Sequence, residues 1–490
     1  MLKIAQSSLK TAGNALSLTI TLVALFFSIC SLFGSDFSAG PIFDQFPLTI
    51  GTGQRTEIAG PFYYNEQNDS EKTWAFPPFF SRWEDPTIDA SEDQSLYPIF
   101  SYVRYGNQYR AQFVELFSWA GGENQGNVHA HRVMVFPVYF RQRSSNTNDN
   151  YTAVFPIYGR LKNVLFRDEI YFVMFPGYSR TRLRDVVNYN YFYPFVNTRH
   201  GNGLSGWQFW PFYGTEHKVL TLVTNTWGVE TNAGHDQSFV MWPVHFRQNN
   251  GIGTDDPERL RANLPFYASI RSPKRDSTSV LWPFFNFIND RDRKYREIQT
   301  PWPIIEFAHG EGKHATRIFP FYSLAYNDSL LDKFYLWPVY KYDSIYSPPL
   351  DERRGRVFFF LYQNTSEKNT ETGKFRRRID LWPFALYAHD FDGSTRLQIL
   401  ALLETFTPDS PGINRNWSPL WSIWRSENNP STGANSQSFL WNLYRRDASP
   451  EAKKISCLFG LYQYQANPEG KTVRLFYIPV VKQHTATAMK

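Results

Sequence analysis

Cysteine is scarce in this 490-residue chain, which contains only Cys30 and Cys457. Cys30 lies in an apolar N-terminal segment, so the two cannot form a disulfide framework or a zinc site built on cysteine. The nucleophile elbow G-x-S-x-G, the P-loop and the H-E-x-x-H helix are also missing from the sequence. These absences favour a protein without a conventional active site, and we predict no cofactor and no metal.

Charge of one sign is not in large excess, since 51 basic residues face 45 acidic residues and the net charge is +6. The two signs are interspersed, which argues against a basic stripe, so we predict no nucleic-acid partner. Helical periodicity is lacking beyond the N-terminal segment. Aromatic residues, by contrast, make up 18% of the chain. Because aromatic side chains suit the pleated, half-buried surface of a sheet, we expect an all-β fold.

One long hydrophobic run is present, at residues 16–33, and Lys3 and Lys10 precede it. A run of about 18 apolar residues can span a bilayer as a helix, and the preceding lysines predict a cytoplasmic N-terminus if the segment is not cleaved. An uncleaved anchor, a cleaved signal peptide and a lipoprotein modified at Cys30 are the alternatives. Each of them exports residues 36–490. We therefore expect an extracytoplasmic protein of the cell envelope, anchored in the membrane through residues 16–33.

A short phrase recurs along the rest of the chain: an aromatic residue, proline, then Phe, Val or Ile, then usually Tyr. One copy reads Phe155-Pro156-Ile157-Tyr158. Most copies follow one another at roughly 20 residues, a fixed period that indicates repeats of one supersecondary unit. We interpret each unit as one strand and one turn. The expected fold is an antiparallel meander of about 20 repeated strands after one N-terminal hydrophobic helix.

The proline limits the geometry of the sheet because it donates no backbone hydrogen bond and is confined to edges, strand starts or bulges. A proline in nearly every strand predicts a curved sheet, a propeller-like ring or a barrel. The first and third positions of the phrase share one strand face and are the predicted core. On this interpretation, Trp337→Ala or Trp382→Ala costs about 3 to 5 kcal/mol.

These features divide the chain into four segments. Residues 1–35 are the N-terminal membrane anchor or signal segment, 36–57 a linker, 58–482 the β-repeat domain and 483–490 a C-terminal tail. Residues 201–206 fit G-x-G-x-x-G, but a strand follows them where dinucleotide binding needs a helix, so a hairpin turn is expected. His129 and His131 alternate on one face without a third ligand, which favours a solvated surface over a metal site.

The candidate binding site is a recurring face of tyrosines and arginines. Such rows can stack on sugar rings or bind anionic polymers. The alternative is structural: the tyrosines cover the core and the arginines solvate the strand ends. The six residues of this candidate site are Tyr139, Arg141, Tyr158, Arg160, Tyr178 and Arg180.

The phrase also carries a resemblance. Residues 206–211 (GWQFWP), 335–342 (YLWPVYKY) and 380–384 (DLWPF) resemble a group of uncharacterised bacterial envelope proteins with tandem aromatic-Pro-aromatic strands. The likeness covers most of residues 58–480. It implies a repeat β architecture and export, and no activity.

Three hypotheses about function follow. The first is a non-catalytic, membrane-anchored protein with a structural or interaction role in the cell envelope, in contact with envelope polysaccharide or other envelope proteins. The second is an outer-membrane barrel that forms a pore or a transport conduit. The third is a protein that binds or processes envelope polysaccharide.

Overall fold

The computed structural model describes residues 38–123, 128–225 and 228–484, and they form an all-β protein. The predicted helix and anchor at residues 16–33 lie outside the described residues. Within the described part of the chain, no helix is long and apolar enough to cross a membrane. The chain divides into two compact units: one combines the residues up to Thr87 with those from Pro383 onward, and the other is Ile88–Trp382.

The first unit begins with five strands and resumes after the second unit with nine more. The first five are β1 (Phe43–Pro47), β2 (Gly53–Ile58), β3 (Tyr63–Asn68), β4 (Glu71–Phe76) and β5 (Phe80–Asp85), with a 3-10 turn at Gly60–Phe62.

The second unit contains β6 to β36 and a 3-10 turn at Thr147–Asp149. Its strands are β6 (Ala90–Ser95), β7 (Phe100–Tyr105), β8 (Gln108–Phe113), β9 (Phe117–Glu123), β10 (His129–Val135), β11 (Tyr139–Ser144), β12 (Tyr151–Val154), β13 (Tyr158–Val164), β14 (Arg167–Val173), β15 (Tyr178–Leu183), β16 (Val186–Tyr191), β17 (Val196–Gly201), β18 (Leu204–Phe209), β19 (Tyr213–Lys218), β20 (Thr221–Asn225), β21 (Gly228–Asn232), β22 (Gly234–Val240), β23 (His245–Ile252), β24 (Glu258–Asn263), β25 (Tyr267–Arg271), β26 (Arg275–Val280), β27 (Phe285–Asp290), β28 (Tyr295–Gln299), β29 (Ile305–Gly310), β30 (His314–Ile318), β31 (Tyr322–Tyr326), β32 (Leu330–Tyr335), β33 (Tyr340–Ser347), β34 (Leu350–Val357), β35 (Tyr362–Asn369) and β36 (Phe375–Leu381).

The remainder of the first unit contains the only two α-helices of the described residues, α1 (Pro411–Asn416) and α2 (Ser418–Trp421). Its strands are β37 (Ala385–His389), β38 (Thr395–Ile399), β39 (Trp424–Asn429), β40 (Ala434–Phe439), β41 (Tyr444–Ala448), β42 (Lys453–Cys457), β43 (Tyr462–Asn467), β44 (Gly470–Leu475) and β45 (Ile478–His484). Residues 36–57, expected to be a linker, therefore contain β1 and most of β2.

Within each unit, consecutive strands pair with one another and form antiparallel meanders. In the second unit, β19 pairs with β22, while β20 and β21 form a separate hairpin. Apart from this insertion, strong contacts between strands join only neighbours in the ladder, among the described residues of this unit. The second unit is therefore an antiparallel meander, and it is not closed, unlike the predicted ring and barrel.

The prolines of the recurring phrase lie in turns between strands and not within the strands. In the turn before β13, the backbone N–H of Ile157 donates to the carbonyl of Val154 at 2.8 Å, with Phe155 and Pro156 between them. The peptide bond before Pro156 is cis, and proline at this position of a β-turn is typical of a type VI turn. The turn before β11 has the same hydrogen bond, from Val138 to Val135 at 2.7 Å.

This placement corrects the predicted number of strands. The 43 strands of the main meander exceed the expected 20 or so because one period of the phrase contains two strands of about six residues. The period measured the distance between alternate turns, which lie at the same edge of a meander. Polar turns separate the two strands of a period at the opposite edge, as at residues 184–185 and 202–203. The turn at 165–166 is an exception, because Leu165 and Phe166 are apolar and strongly exposed.

The predicted core is also corrected. None of the buried hydrophobic residues among the described residues occupies the first or third position of the phrase. Trp337 is 42% exposed in its turn, and Trp382 is half-buried. The large destabilisation expected for their substitution by alanine therefore loses its basis.

The core of the second unit comes from alternate positions within strands. One cluster consists of Tyr151, Ala153, Leu161 and Phe172 on β12 to β14. Next to it, three cross-strand neighbours form a row of polar contacts: the Asn190 amide donates to Ser179 at 3.0 Å, and the Asn197 amide donates to Asn190 at 2.5 Å. We call the side of the sheet that carries this row the buried face. Its packing combines apolar contacts with hydrogen bonds between side chains.

Candidate functional site

The six predicted site residues lie on one face of β11, β13 and β15, opposite the buried face. The register of the strands shows this directly. Val154 lies between Tyr139 and Tyr158 and is paired with both of them. In the same way, Val173 is paired with both Tyr158 and Tyr178. The arginines follow the same pattern one row further along the strands. In the register, Thr152 is paired with both Arg141 and Arg160. Tyr171 is paired with both Arg160 and Arg180.

We call this surface the tyrosine–arginine face. It also includes Tyr171 of β14 and Tyr189 and Tyr191 of β16. Its rings form a chain of contacts: the centroids of Tyr158 and Tyr171 are 5.6 Å apart, those of Tyr171 and Tyr178 6.1 Å, and those of Tyr178 and Tyr191 5.4 Å. The sequence reasoning missed the tyrosines of β14 and β16, because it treated the two strands of a period as one. Their spacing by two residues in Tyr189-Asn190-Tyr191 was the available signal.

A single carboxylate holds two of the arginines. Glu169 Oε1 lies 2.6 Å from Arg160 Nε and 3.0 Å from Arg180 Nη2, and Arg182 Nη2 is 3.9 Å from Oε2. Burial opposes ionisation of Glu169, but the hydrogen bonds and charges of Arg160 and Arg180 outweigh it and lower the pKa of this carboxyl. Three guanidinium groups around one carboxylate leave an excess of positive charge. The face thus combines exposed rings, such as Tyr158 at 57% exposure, with cations held in place.

This arrangement suits binding and not covalent chemistry. Arginine beside an aromatic ring offers hydrogen bonds to anionic oxygens and a flat apolar surface for a ring or an alkyl group. A side-chain hydrogen bond with Tyr158, together with desolvation, raises the pKa of the Tyr171 phenol.

A second candidate site is a groove over β17 to β19, β22 and β23. This groove has a volume of about 190 Å³ and is lined by the rings of Trp210, Trp242 and Phe239 together with several side-chain amides. Gly214 shapes it, because a Cβ there would lie 2.3 Å from Cε1 of Phe239. The amides that line the groove are Asn197, Gln208, Gln237 and Gln248.

The groove is close to charge-neutral in its polar part. Arg199 Nη1 lies 2.9 Å from Glu216 Oε2, and His235 Nε2 lies 2.8 Å from Glu216 Oε1. Rings combined with planar amides are the groups that bind neutral hydroxyl-rich molecules, since the rings pack on C–H faces and the amides exchange hydrogen bonds with hydroxyls.

The first unit contains a buried ionic cluster that sequence reasoning did not anticipate. Asp44 and Glu57 face each other across β1 and β2. Arg55 Nε lies 2.8 Å from Glu57 Oε1, Arg425 Nη2 3.7 Å from the same oxygen, and the Asn442 amide donates to Glu57 Oε2 at 2.7 Å. The cluster therefore joins the N-terminal strands to strands from the C-terminal part of the unit.

Burial and neighbouring charges act on the two carboxyls of this cluster with opposite results. Asp44 is 1% exposed, and burial raises the pKa of its carboxyl from 3.8 to about 6 against the opposing charges of Arg445 and Lys454. Glu57 behaves differently because Arg55 and Arg425 outweigh its burial, so its pKa is lowered. The sequence offered no signal for this cluster, because Glu57 is separated from its partners Arg425 and Asn442 by more than 350 residues.

His129 and His131, the two residues considered above as metal ligands, both lie exposed on β10. Within the described parts of the chain, no group of three or more His, Cys, Asp or Glu side chains could hold a metal ion. Residues 202–203 form the hairpin turn between β17 and β18, as predicted for the G-x-G-x-x-G segment.

The described residues form an all-β protein whose two units are built from antiparallel meanders. The chain matches no family model and no curated protein.

Proposed function

We propose that this protein is a non-catalytic scaffold of the bacterial cell envelope, anchored in the membrane through residues 16–33, with a structural or interaction role outside the cytoplasm. The observation that carries the proposal is the meander of the second unit. Repeats that contact mainly their neighbours form extended surfaces, and proteins of this kind use such surfaces to bind partners. The face of the sheet opposite the buried face carries exposed side chains, such as Tyr158, that are available for that purpose.

The tyrosine–arginine face is the part of the scaffold best suited to a partner. Two of its arginines, Arg160 and Arg180, are held by Glu169, so less side-chain entropy is lost when a ligand binds. Its tyrosines are large, amphipathic and partly exposed, which is typical of contact surfaces. Other envelope proteins or an anionic polymer are the partners that this chemistry fits.

The anchor can be tested by adding charge to the apolar run. Val23→Arg with Leu25→Arg places two cations near the centre of residues 16–33, each costing about 2.5 to 3.5 kcal/mol of insertion. We expect the parent chain to remain in membranes washed at alkaline pH and the double variant to be released. Cys30→Ser is the matched variant that leaves the run apolar. Retention of the double variant would contradict the anchor, and release of Cys30→Ser alone would indicate lipidation instead.

A second candidate function is the binding of neutral polysaccharide, and the groove beside Trp210 and Trp242 favours it. Its rings and amides match the faces and hydroxyls of sugar rings. Glycan-array retention that is lost in Gln208→Ala and kept in Tyr158→Ala with Arg160→Ala would assign glycan binding to the groove. The reverse pattern would assign it to the tyrosine–arginine face. Retention by neither surface would refute this candidate.

A further inference from the structure

Four successive turns beside the tyrosine–arginine face form a row of exposed apolar side chains. They are the turns 136–138, 155–157, 174–177 and 192–195, which lie at one edge of the sheet, and we call them the aromatic edge. Phe192 is 70% exposed and Met174 66%. Ring contacts run along the edge, since the centroid of Phe175 is 5.5 Å from that of Phe155 and 6.0 Å from that of Tyr193.

The size of this surface calls for a partner. The edge carries seven large side chains between 47% and 70% exposed, and half of an aromatic side chain is about 100 Å². The exposed area is therefore on the order of 700 Å², above the largest apolar patch of a typical soluble monomer. The seven are Phe136, Val138, Ile157, Met174, Phe192, Tyr193 and Phe195.

The backbone of the edge is prepared for a surrounding of low polarity. The N–H of Phe175 donates to the carbonyl of Pro156 at 2.7 Å, and the N–H of Tyr193 donates to that of Pro176 at 2.8 Å. Proline itself has no N–H, and the N–H of Gly177 closes its own turn through Met174 at 2.6 Å. In these turns the N–H groups are hydrogen-bonded within the protein, which meets for the backbone donors the condition that a lipid environment imposes on backbone polar groups.

The order of side chains away from the edge matches the layers of a membrane surface. Tyr139, Tyr158 and Tyr178 immediately follow the first three of these turns, and an arginine lies two residues beyond each of them. At about 3.4 Å per residue, the arginines lie about 7 Å beyond the tyrosines. That distance is close to the depth of one headgroup layer, about 5 to 8 Å. Tyrosine is enriched at this interface, and arginine attracts anionic headgroups there.

We propose that the aromatic edge inserts into the surface of a bilayer containing anionic phospholipid, with the tyrosine row at the headgroups and the arginine row at the phosphates. This site goes beyond the scaffold function, because it assigns a partner to a part of the molecule distinct from residues 16–33. A second copy of the chain could also cover the edge. The adjacent row of arginines favours lipid, because two copies meeting there would bring like charges together.

The test uses the full chain with vesicles that contain phosphatidylglycerol and a photoactivatable phospholipid, followed by mass spectrometry of the labelled residues. We expect label at turns 174–177 and 192–195. The internal control is the turn 165–166 at the opposite edge, where Phe166 is 99% exposed. A probe that labels any exposed apolar turn would label Phe166 equally, whereas the proposal expects several-fold less label there. Replacing the anionic lipid by phosphatidylcholine should lower the label at the aromatic edge.

The outcomes separate this proposal from the anchor. Label at residues 16–33 reports on the anchor, and label at the aromatic edge reports on the edge, so either can fail alone. Equal label at both edges, or none at the aromatic edge, would overturn the proposal. Cross-links between aromatic edges of two copies without lipid label would assign the edge to self-association instead.

Discussion

Asp44→Asn is expected to stabilise the first unit at neutral pH. The carboxyl of Asp44 is buried opposite Glu57, and its Oδ2 has no hydrogen-bond partner among the described residues. Burial raises its pKa to about 6 from 3.8, despite the charge of Arg445. Ionisation of Asp44 is therefore costly in the folded state, and asparagine keeps the shape of the side chain without that charge.

The magnitude follows from linkage between protonation and folding. Between pH 3.8 and about 6 the folded state binds the Asp44 proton and the unfolded state does not. The stability that this carboxyl contributes is therefore fully present below pH 3.8 and is lost as the pH rises through about 6. A pKa raised from 3.8 to about 6 corresponds to about 3 kcal/mol at pH 7. Asp44→Asn should recover up to about that amount at pH 7.5, and little below pH 4.

Amide hydrogen exchange read by mass spectrometry is the suitable assay, because a chain of two units need not unfold in one step. Peptides from β1 and β2 report on the first unit, and those from β13 and β14 serve as a reference in the second. Parent and variant are compared at the same pH, so that intrinsic exchange rates cancel. The reasoning is refuted if Asp44→Asn is neutral or destabilising at pH 7.5, or if its effect is the same at pH 4.

The other predictions use matched pairs. Glu57→Gln removes the buried carboxylate that Arg55 and Arg425 share, leaving Arg55 with the carboxylate of Glu66, and should cost about 3 kcal/mol. Glu311→Gln breaks the exposed pair with Lys294 and should cost less than about 1 kcal/mol. Equal effects in urea unfolding would contradict the role of burial. Phe172→Ala should cost about 3 to 5 kcal/mol because Phe172 is core, and Trp337→Ala less because its ring is half-exposed. If thermal unfolding shows a larger loss of stability for Trp337→Ala than for Phe172→Ala, the aromatic residues of the turns belong to the core after all.

The sequence was informative about class and alternation but not about where strands end. All-β structure and the antiparallel meander followed from aromatic content and period, and both are confirmed. Alternation in Tyr158-Gly159-Arg160-Leu161 also assigned these residues to the correct faces. The phrase itself was misplaced, because its aromatic residues resemble strand residues in composition. Proline at Pro156 was the better guide, since a residue without an N–H is more easily accommodated in a turn than within a ladder.

The candidate site was predictable to the extent that it depends on local order. Tyr158 and Arg160 belong to one strand, so their common face could be inferred from a spacing of two. Their alignment with Tyr178 and Arg180 depends on the intervening β14, whose existence the sequence reasoning did not recognise. Glu169 on β14 holds both arginines, and only the register brings it to them.

One sequence feature connects the fold with its proposed partners. Three successive copies of the phrase provide a turn, then a tyrosine, then an arginine two residues later, and the meander aligns them at one edge. The apolar residues of the phrase lie in the turns and not in the strands, so the ladder does not bury them. They are left at the edge, where they can contact something other than the protein itself. If the aromatic edge contacts lipid, the double variant Arg160→Gln with Arg180→Gln should weaken labelling of the edge in anionic vesicles and leave it unchanged in neutral vesicles. If the contact were purely apolar, the double variant would have the same effect on labelling in both kinds of vesicle.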